Sequence, residues 1–253
     1  MTRTEHTADG PVSLLITGGG AKVIILASPD TARAYVESDA DDLKISSRGD
    51  LLEIKIPRTS STSTVVQTGG RTTVVQSGRG GVTILGDLDG DVVIGNVGRQ
   101  VNVFRSGGIV SQVSGGAELE ITVHVPDGSS LDADVRGGDI ITSGVLTSVG
   151  ASTDSGDIQL DQVSGRATVR TGSGDVAIAG VNIAEVRTGS GDINIEEVAR
   201  KATLRAGSGD IVVRSTAQSC QVNASTGSGN ITSYGRGIDL DASTGSGRVR
   251  QRS

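Results

Sequence analysis

The sequence predicts an all-β solenoid, a β-helix or β-roll of stacked coils about 18 residues long with glycine-rich turns. Three observations carry this reading. A tetrad of the form Gly-Gly/Ser-Gly-Asp recurs through the second half of the chain. Its fourth position falls at Asp139, Asp157, Asp175, Asp192 and Asp210, then at Asn230 and Arg248, in steps of 17 to 20 residues. Between tetrads, apolar and polar residues alternate as in half-buried strands. Helical periodicity is absent throughout.

The elements follow in chain order. Residues 1–10 are polar and read as a flexible terminus. Residues 11–57 hold longer alternating runs, predicted as strands at 12–17, 22–27, 33–37, 43–46 and 51–56, closed by Pro57 and forming a cap-like β part. Gly18-Gly19-Gly20-Ala21-Lys22 lacks the Gly-Lys-Ser/Thr ending of a phosphate loop and reads as a hairpin turn. Residues 58–116 are rich in Gly, Thr and Val. Apolar pairs recur there at about half the later period, as at Val65-Val66, Val74-Val75 and Val92-Val93, which marks a β insertion.

Residues 117–253 form the regular coil. Ile158 and Leu160 share one face of a strand, and Ala167 and Val169 one face of the next, while Gln159, Thr168 and Arg170 point the other way. A single repeat buries three or four aliphatic side chains at about 1.5–3 kcal/mol each, against a backbone ordering cost of about 1–2 kcal/mol per residue. Stacking is therefore obligatory, because each coil must find its core partners in its neighbours. Corner glycines are expected to supply positive φ.

Composition excludes several activities. The chain has 23 Lys+Arg against 29 Asp+Glu, a net charge of -6, no tryptophan, two tyrosines and one phenylalanine. Nucleic acid is not an expected partner, since base stacking needs aromatic platforms on a basic surface. One cysteine cannot close an intrachain disulfide, and His6 and His124 cannot build the usual zinc site. No cofactor or metal is expected. No apolar run approaches the roughly 18 residues of a membrane helix, and residues 1–10 lack the apolar core of a secretory signal, so the expected compartment is the cytoplasm.

The succession from Glu120 through Ile-Thr-Val-His-Val-Pro-Asp-Gly-Ser-Ser to Leu131, followed by the Gly-Gly-Asp and Gly-Ser-Gly-Asp tetrads, resembles a bacterial β-strand-repeat domain of unknown function labelled putative adhesin. It is also similar to the head domains of autotransporter adhesins. The resemblance covers residues 11–57 and 117–253, and implies a β-solenoid with no assigned active site.

Two sets of residues are candidates for function. Arg170, Arg187 and Arg205 each precede an aspartate of the column Asp175, Asp192 and Asp210 by five residues. The aspartate column suggests calcium, but the calcium-roll pattern has a nine-residue period with a spacer before its aspartate. The preferred reading has turn amides donating to the aspartates and the arginines offsetting their stacked charge. The arginine column could alternatively take anionic glycans or phosphate; its bland counterpart is a solvated face interleaved with acids, since residues 117–253 carry 12 basic against 17 acidic residues. The second set is Arg248, Arg250 and Arg252, a candidate assembly edge facing the acidic stretch of residues 39–42 on another molecule.

Catalysis finds little material. His124 has the outward parity of Thr122 and is expected to be exposed; the carboxylate groups Glu196-Glu197 and Asp87, Asp89 and Asp91 sit beside turns; Cys220 has no activating neighbour in sequence. The chain is accordingly expected to be no enzyme. The leading expectation is a structural scaffold or assembly subunit that presents repetitive β surfaces and stacks end to end on itself or another protein. The alternatives are an adhesin-like module for a cell-surface or glycan ligand, and a component of a virion or tail fibre.

Overall fold

The computed structural model describes residues 2–5, 9–38, 43–57 and 119–252, together with the backbone of six strands within 58–118. Two compact units divide it: residues 1–57 with 119–253 form one, and residues 58–118 the other. Among the described residues there is no helix.

The first unit opens with β1 (Thr2–Glu5), β2 (Ser13–Gly18), β3 (Lys22–Ser28), β4 (Tyr35–Ser38), β5 (Lys44–Arg48) and β6 (Leu51–Ile56). The second unit holds β7 (Thr62–Thr68), β8 (Arg71–Ser77), β9 (Val82–Leu85), β10 (Val92–Gly95), β11 (Val101–Arg105) and β12 (Gly108–Val113). These six make two three-stranded sheets, β10-β8-β7 and β12-β11-β9. Asp87, Asp89, Asp91, His6 and residues 39–42 lie outside the described residues.

The regular coil follows. Its strands are β13 (Glu120–Pro126), β14 (Ser130–Val135), β15 (Ile140–Ser143), β16 (Val145–Leu146), β17 (Ser148–Thr153), β18 (Ile158–Thr171), β19 (Val176–Thr188), β20 (Ile193–Ile195) and β21 (Val198–Ala206). The last five are β22 (Ile211–Arg214), β23 (Cys220–Thr226), β24 (Ile231–Tyr234), β25 (Ile238–Thr244) and β26 (Val249–Arg252).

Parallel pairing stacks these strands into two long faces. On the first, β6, β2, β14 and β17 run on through the second half of β18, the second half of β19, β21, β23 and β25. On the second, β13, β3 and β15 run on through the first halves of β18 and β19 to β20, β22, β24 and β26. A short third face links them where Val145 and Leu146 pair with Gln162 and Val163, which pair with Gly180 and Val181. Inward-facing aliphatics form one core between the faces; Val169, Ile193, Leu204, Val213 and Ile231 are each 1% exposed or less.

The N-terminal strands depart from the expected cap in an informative way. β2 and β3 are not paired with each other, so Gly18–Lys22 is a coil corner and not a hairpin turn. The coil they make is inserted between a coil formed by β6 and β13 and one formed by β14 and β15. Antiparallel strands close that end: β5 against β6 on the first face, and β4 against β13, then β1 against β4, on the second. Residues 2–5, read from sequence as part of a flexible terminus, are thus a paired strand.

The site of the insertion is also defined. Gly18 pairs with Ile56 and Lys22 with Glu120, so β6 and β13 hold in one coil the places that β2 and β3 hold in the next, where only Gly19, Gly20 and Ala21 join the paired ends. In sequence, the second unit falls between β6, a strand of the first face, and β13, a strand of the second.

The tetrad corners depend on glycine for a reason other than the expected one. Among the described residues, positive φ occurs at Gly138 and at six other glycines, none of them in a Gly-Ser-Gly tetrad. What excludes a side chain there is the coil beneath: a Cβ on Gly174 would lie 1.8 Å from the carbonyl oxygen of Gly156, and one on Gly191 1.9 Å from that of Gly174.

Candidate functional site

The aspartate column forms a ladder of side-chain to backbone hydrogen bonds. The amide of Asp157 donates to Oδ1 of Asp139 at 3.0 Å, that of Asp175 to Asp157 at 2.9 Å, and those of Asp192 and Asp210 to the aspartate one coil back at 2.8 Å. Asn230 continues the series, its amide donating to Asp210 at 2.7 Å, and the Arg248 amide donates to Asn230 Oδ1 at 3.2 Å. Each carboxylate is engaged by the coil that follows it.

A threonine ladder runs beside it. Thr171 Oγ1 donates to the Gly156 carbonyl and accepts from the Gly174 amide, and Thr153, Thr188, Thr226 and Thr244 repeat the pattern. In the coil between Thr188 and Thr226 the register partner is Ala206, which has no hydroxyl to offer.

Arg170, Arg187 and Arg205 are direct register partners on β18, β19 and β21, all exposed on the outer side of the first face. Their expected role is to offset the charge of the aspartates that they precede by five residues. Among the described residues none of the three pairs with Asp175, Asp192 or Asp210; Arg187 pairs with Glu185 at 3.0 Å. The outward positions of these three strands are Arg166, Thr168 and Arg170, then Ile183, Glu185 and Arg187, then Lys201, Thr203 and Arg205. Sequence reasoning missed Arg166 and Lys201, whose place beside the column depends on register.

The last coil carries the other candidate. Arg248 occupies the tetrad corner and precedes β26, so only Arg250 and Arg252 lie on that strand, both outward. The Arg252 guanidinium sits 5.7 Å from the Tyr234 ring centroid, and Arg214 sits 5.1 Å from the same ring while pairing with Glu196 at 2.8 Å. Val249 faces inward but is 44% exposed, and Leu240 and Ala242 are half-buried, because no further coil among the described residues covers them.

Among the described residues weighed for catalysis, Glu197 lies near Cys220, while His124 is held by other partners. His124 is only partly exposed: its ring stacks on Tyr35 at 4.2 Å between centroids, and its Nε2 lies 3.7 Å from Glu37. Arg3 covers the same tyrosine at 3.9 Å. Glu197 accepts from the Thr216 amide and hydroxyl, and Glu196 from Asn194 and Arg214. Cys220 is buried, and burial foremost, with Glu197 nearby, pushes its thiol up despite a hydrogen bond with Ser215. Among the described residues, no three His, Cys, Asp or Glu side chains are grouped to hold a metal ion.

Two faces of parallel strands, a shared aliphatic core and laddered corners define a β-solenoid. The chain belongs to the Toastrack DUF4097 family, whose profile matches residues 35–253. Its fold is similar to that of a crystal structure described as a putative adhesin from Bacteroides fragilis, with a TM-score of 0.52 at 14% identity over 99% of this chain and 96% of that one. A second such protein, from Parabacteroides distasonis, gives 0.48 at 13% identity over 99% and 96%. A crystal structure described as a putative lipid binding protein from the same organism gives 0.43 at 17% identity over 98% and 96%. No curated protein matches. No helix among the described residues is long and apolar enough to cross a membrane.

Proposed function

We propose that the protein is a non-catalytic scaffold that associates end to end through its last coil. The carrying observation is the asymmetry of its two ends. Antiparallel β1, β4 and β5 lie over the first end, whereas at the other β25 and β26 are the outermost parallel strands of their faces, with Val249, Leu240 and Ala242 incompletely covered. Unpaired strand edges with apolar residues behind them accept further strands. A second copy supplies strands of the matching kind, and the acidic stretch of residues 39–42 of that copy is the counter-charge for Arg248, Arg250 and Arg252, an attraction that salt weakens.

Light scattering tests this. Full-length protein is expected to show a mass above the monomer that grows with concentration and falls with added salt. Val249→Lys, which places a charge behind the open edge, is expected to give monomers with an unchanged circular dichroism spectrum, as is deletion of residues 246–253. Equal mass for all three proteins at low and high salt excludes assembly through this edge and leaves the arginines as guards of an exposed strand.

A further inference from the structure

Charge on the first face is segregated, not interleaved. The outward positions of β18, β19 and β21 carry Arg166, Arg170, Arg187, Lys201 and Arg205 against a single carboxylate, Glu185. The flanking strands are uncharged outward: Ser148, Gly150 and Ser152 on β17, and Gln221, Asn223 and Ser225 on β23. Among outward strand positions, acids return beyond them, as Asp132 and Asp134 on β14 and Asp239 and Asp241 on β25, while Asp154 and the amide-bound aspartate column occupy the adjoining corner. With strands about 4.8 Å apart, those acids stand two strands, about 10 Å, from the outer strands of the basic patch. That distance is about one Debye length at physiological salt, so these strand aspartates do little to cancel the patch. Among the described residues no ion pair engages Arg166, Arg170, Lys201 or Arg205.

We infer that this patch binds a linear anionic polysaccharide lying along the solenoid axis, across the strands. The row Arg170, Arg187 and Arg205 advances by one strand spacing per residue. An extended pyranose chain advances by nearly the same length per sugar, so carboxylates or sulfates on successive sugars meet successive guanidinium forks, which suit them bidentately. Thr168, Thr203 and Asn223 form the neighbouring row and offer hydrogen bonds suited to sugar hydroxyls. No tyrosine or phenylalanine stands among these outward positions, which disfavours single-stranded nucleic acid. The outward positions of the three strands also hold one large apolar residue, Ile183, too few to anchor a lipid surface by burial. The site is independent of the open edge, and its test uses a Val249→Lys background so that assembly and binding fail separately.

The experiment measures calorimetric binding of heparin and polygalacturonate, with uncharged dextran and phosphatidylglycerol vesicles as comparisons. Both polyanions are expected to bind and dextran not. Arg170→Gln with Arg205→Gln is expected to weaken binding by at least about tenfold, since each charged hydrogen bond lost corresponds to about that factor. Arg166→Gln with Lys201→Gln is expected to weaken it less, and Glu185→Gln to tighten it by freeing Arg187. Loss confined to the arginine variants, with a native melting temperature, supports the assignment. Equal affinity in wild type and the Arg170/Arg205 variant, failure of Glu185→Gln to tighten, or capture by the vesicles without binding of either polysaccharide overturns it.

Discussion

At the scale of single residues, the ladders make unusually local predictions. Ala206 is 7% exposed and interrupts a column of threonines whose hydroxyls each bridge a carbonyl of one coil to an amide of the next. Ala206→Thr places a hydroxyl between the Gly191 carbonyl and the Gly209 amide, and is expected to stabilise the protein by about 0.5–1.5 kcal/mol, read from chemical denaturation. Inward and outward positions should behave oppositely. Val169→Asp or Ile193→Asp introduces a charge where the wild-type residue is at most 1% exposed, and should cost more than about 3 kcal/mol. Gln159→Asp, on an exposed position of the same coil system, should stay within about 0.5 kcal/mol. The Cys220 thiol, raised by burial, stays protonated in the folded chain at pH values where the unfolded chain ionises. The unfolded state then binds fewer protons, so stability falls as pH climbs past the ordinary thiol range of about 8.5. The comparison that checks it is the pH profile of Cys220→Ala, which should lack that decline.

At the scale of an element, the corner is the unit that the sequence displayed most openly. The tetrad spacing, the parity of Ile158, Leu160, Ala167 and Val169, and the amide-bound aspartates were all legible, because stacked coils repeat the same chemistry at the same position. The reason for the glycines was not. A side chain on Gly174 is refused by a carbonyl of the coil beneath, and sequence shows no distance between coils. Gly174→Ala should therefore destabilise by about 1–3 kcal/mol or more, even though alanine tolerates that φ. The candidate basic face was half legible. The column of Arg170, Arg187 and Arg205 appeared as a period, but its companions Arg166 and Lys201 and the retreat of the acids to β14 and β25 depend on which strands are neighbours. The engaged Oδ1 atoms also bear on calcium. Adding it should leave the melting temperature unchanged, and a chelator-sensitive rise of several degrees would show that the aspartates exchange amides for a cation.

For the molecule as a whole, the architecture was legible where the period was regular and obscure where the chain order and the stacking order part. Strand alternation located β2 to β6, but nothing in residues 11–57 reveals that their coil neighbours come from residues 119–143. The insertion has a consequence for engineering: replacing residues 58–118 by one glycine should restore a corner like Gly19-Gly20-Ala21 and leave the solenoid folded, with its strand spectrum retained. The interleaved first coil has another, in the order of synthesis. β2 and β3 emerge from the ribosome early, yet each finds a partner on both sides only after β14 and β15 have been made, with the whole of residues 58–118 translated in between. Ser129 seals that arrangement, its hydroxyl donating to the Pro126 carbonyl and accepting from the Val12 amide 117 residues earlier. The end of the solenoid that is translated first can therefore be completed only after more than half of the chain has left the ribosome. The coils that follow can be laid down in the order in which they are made.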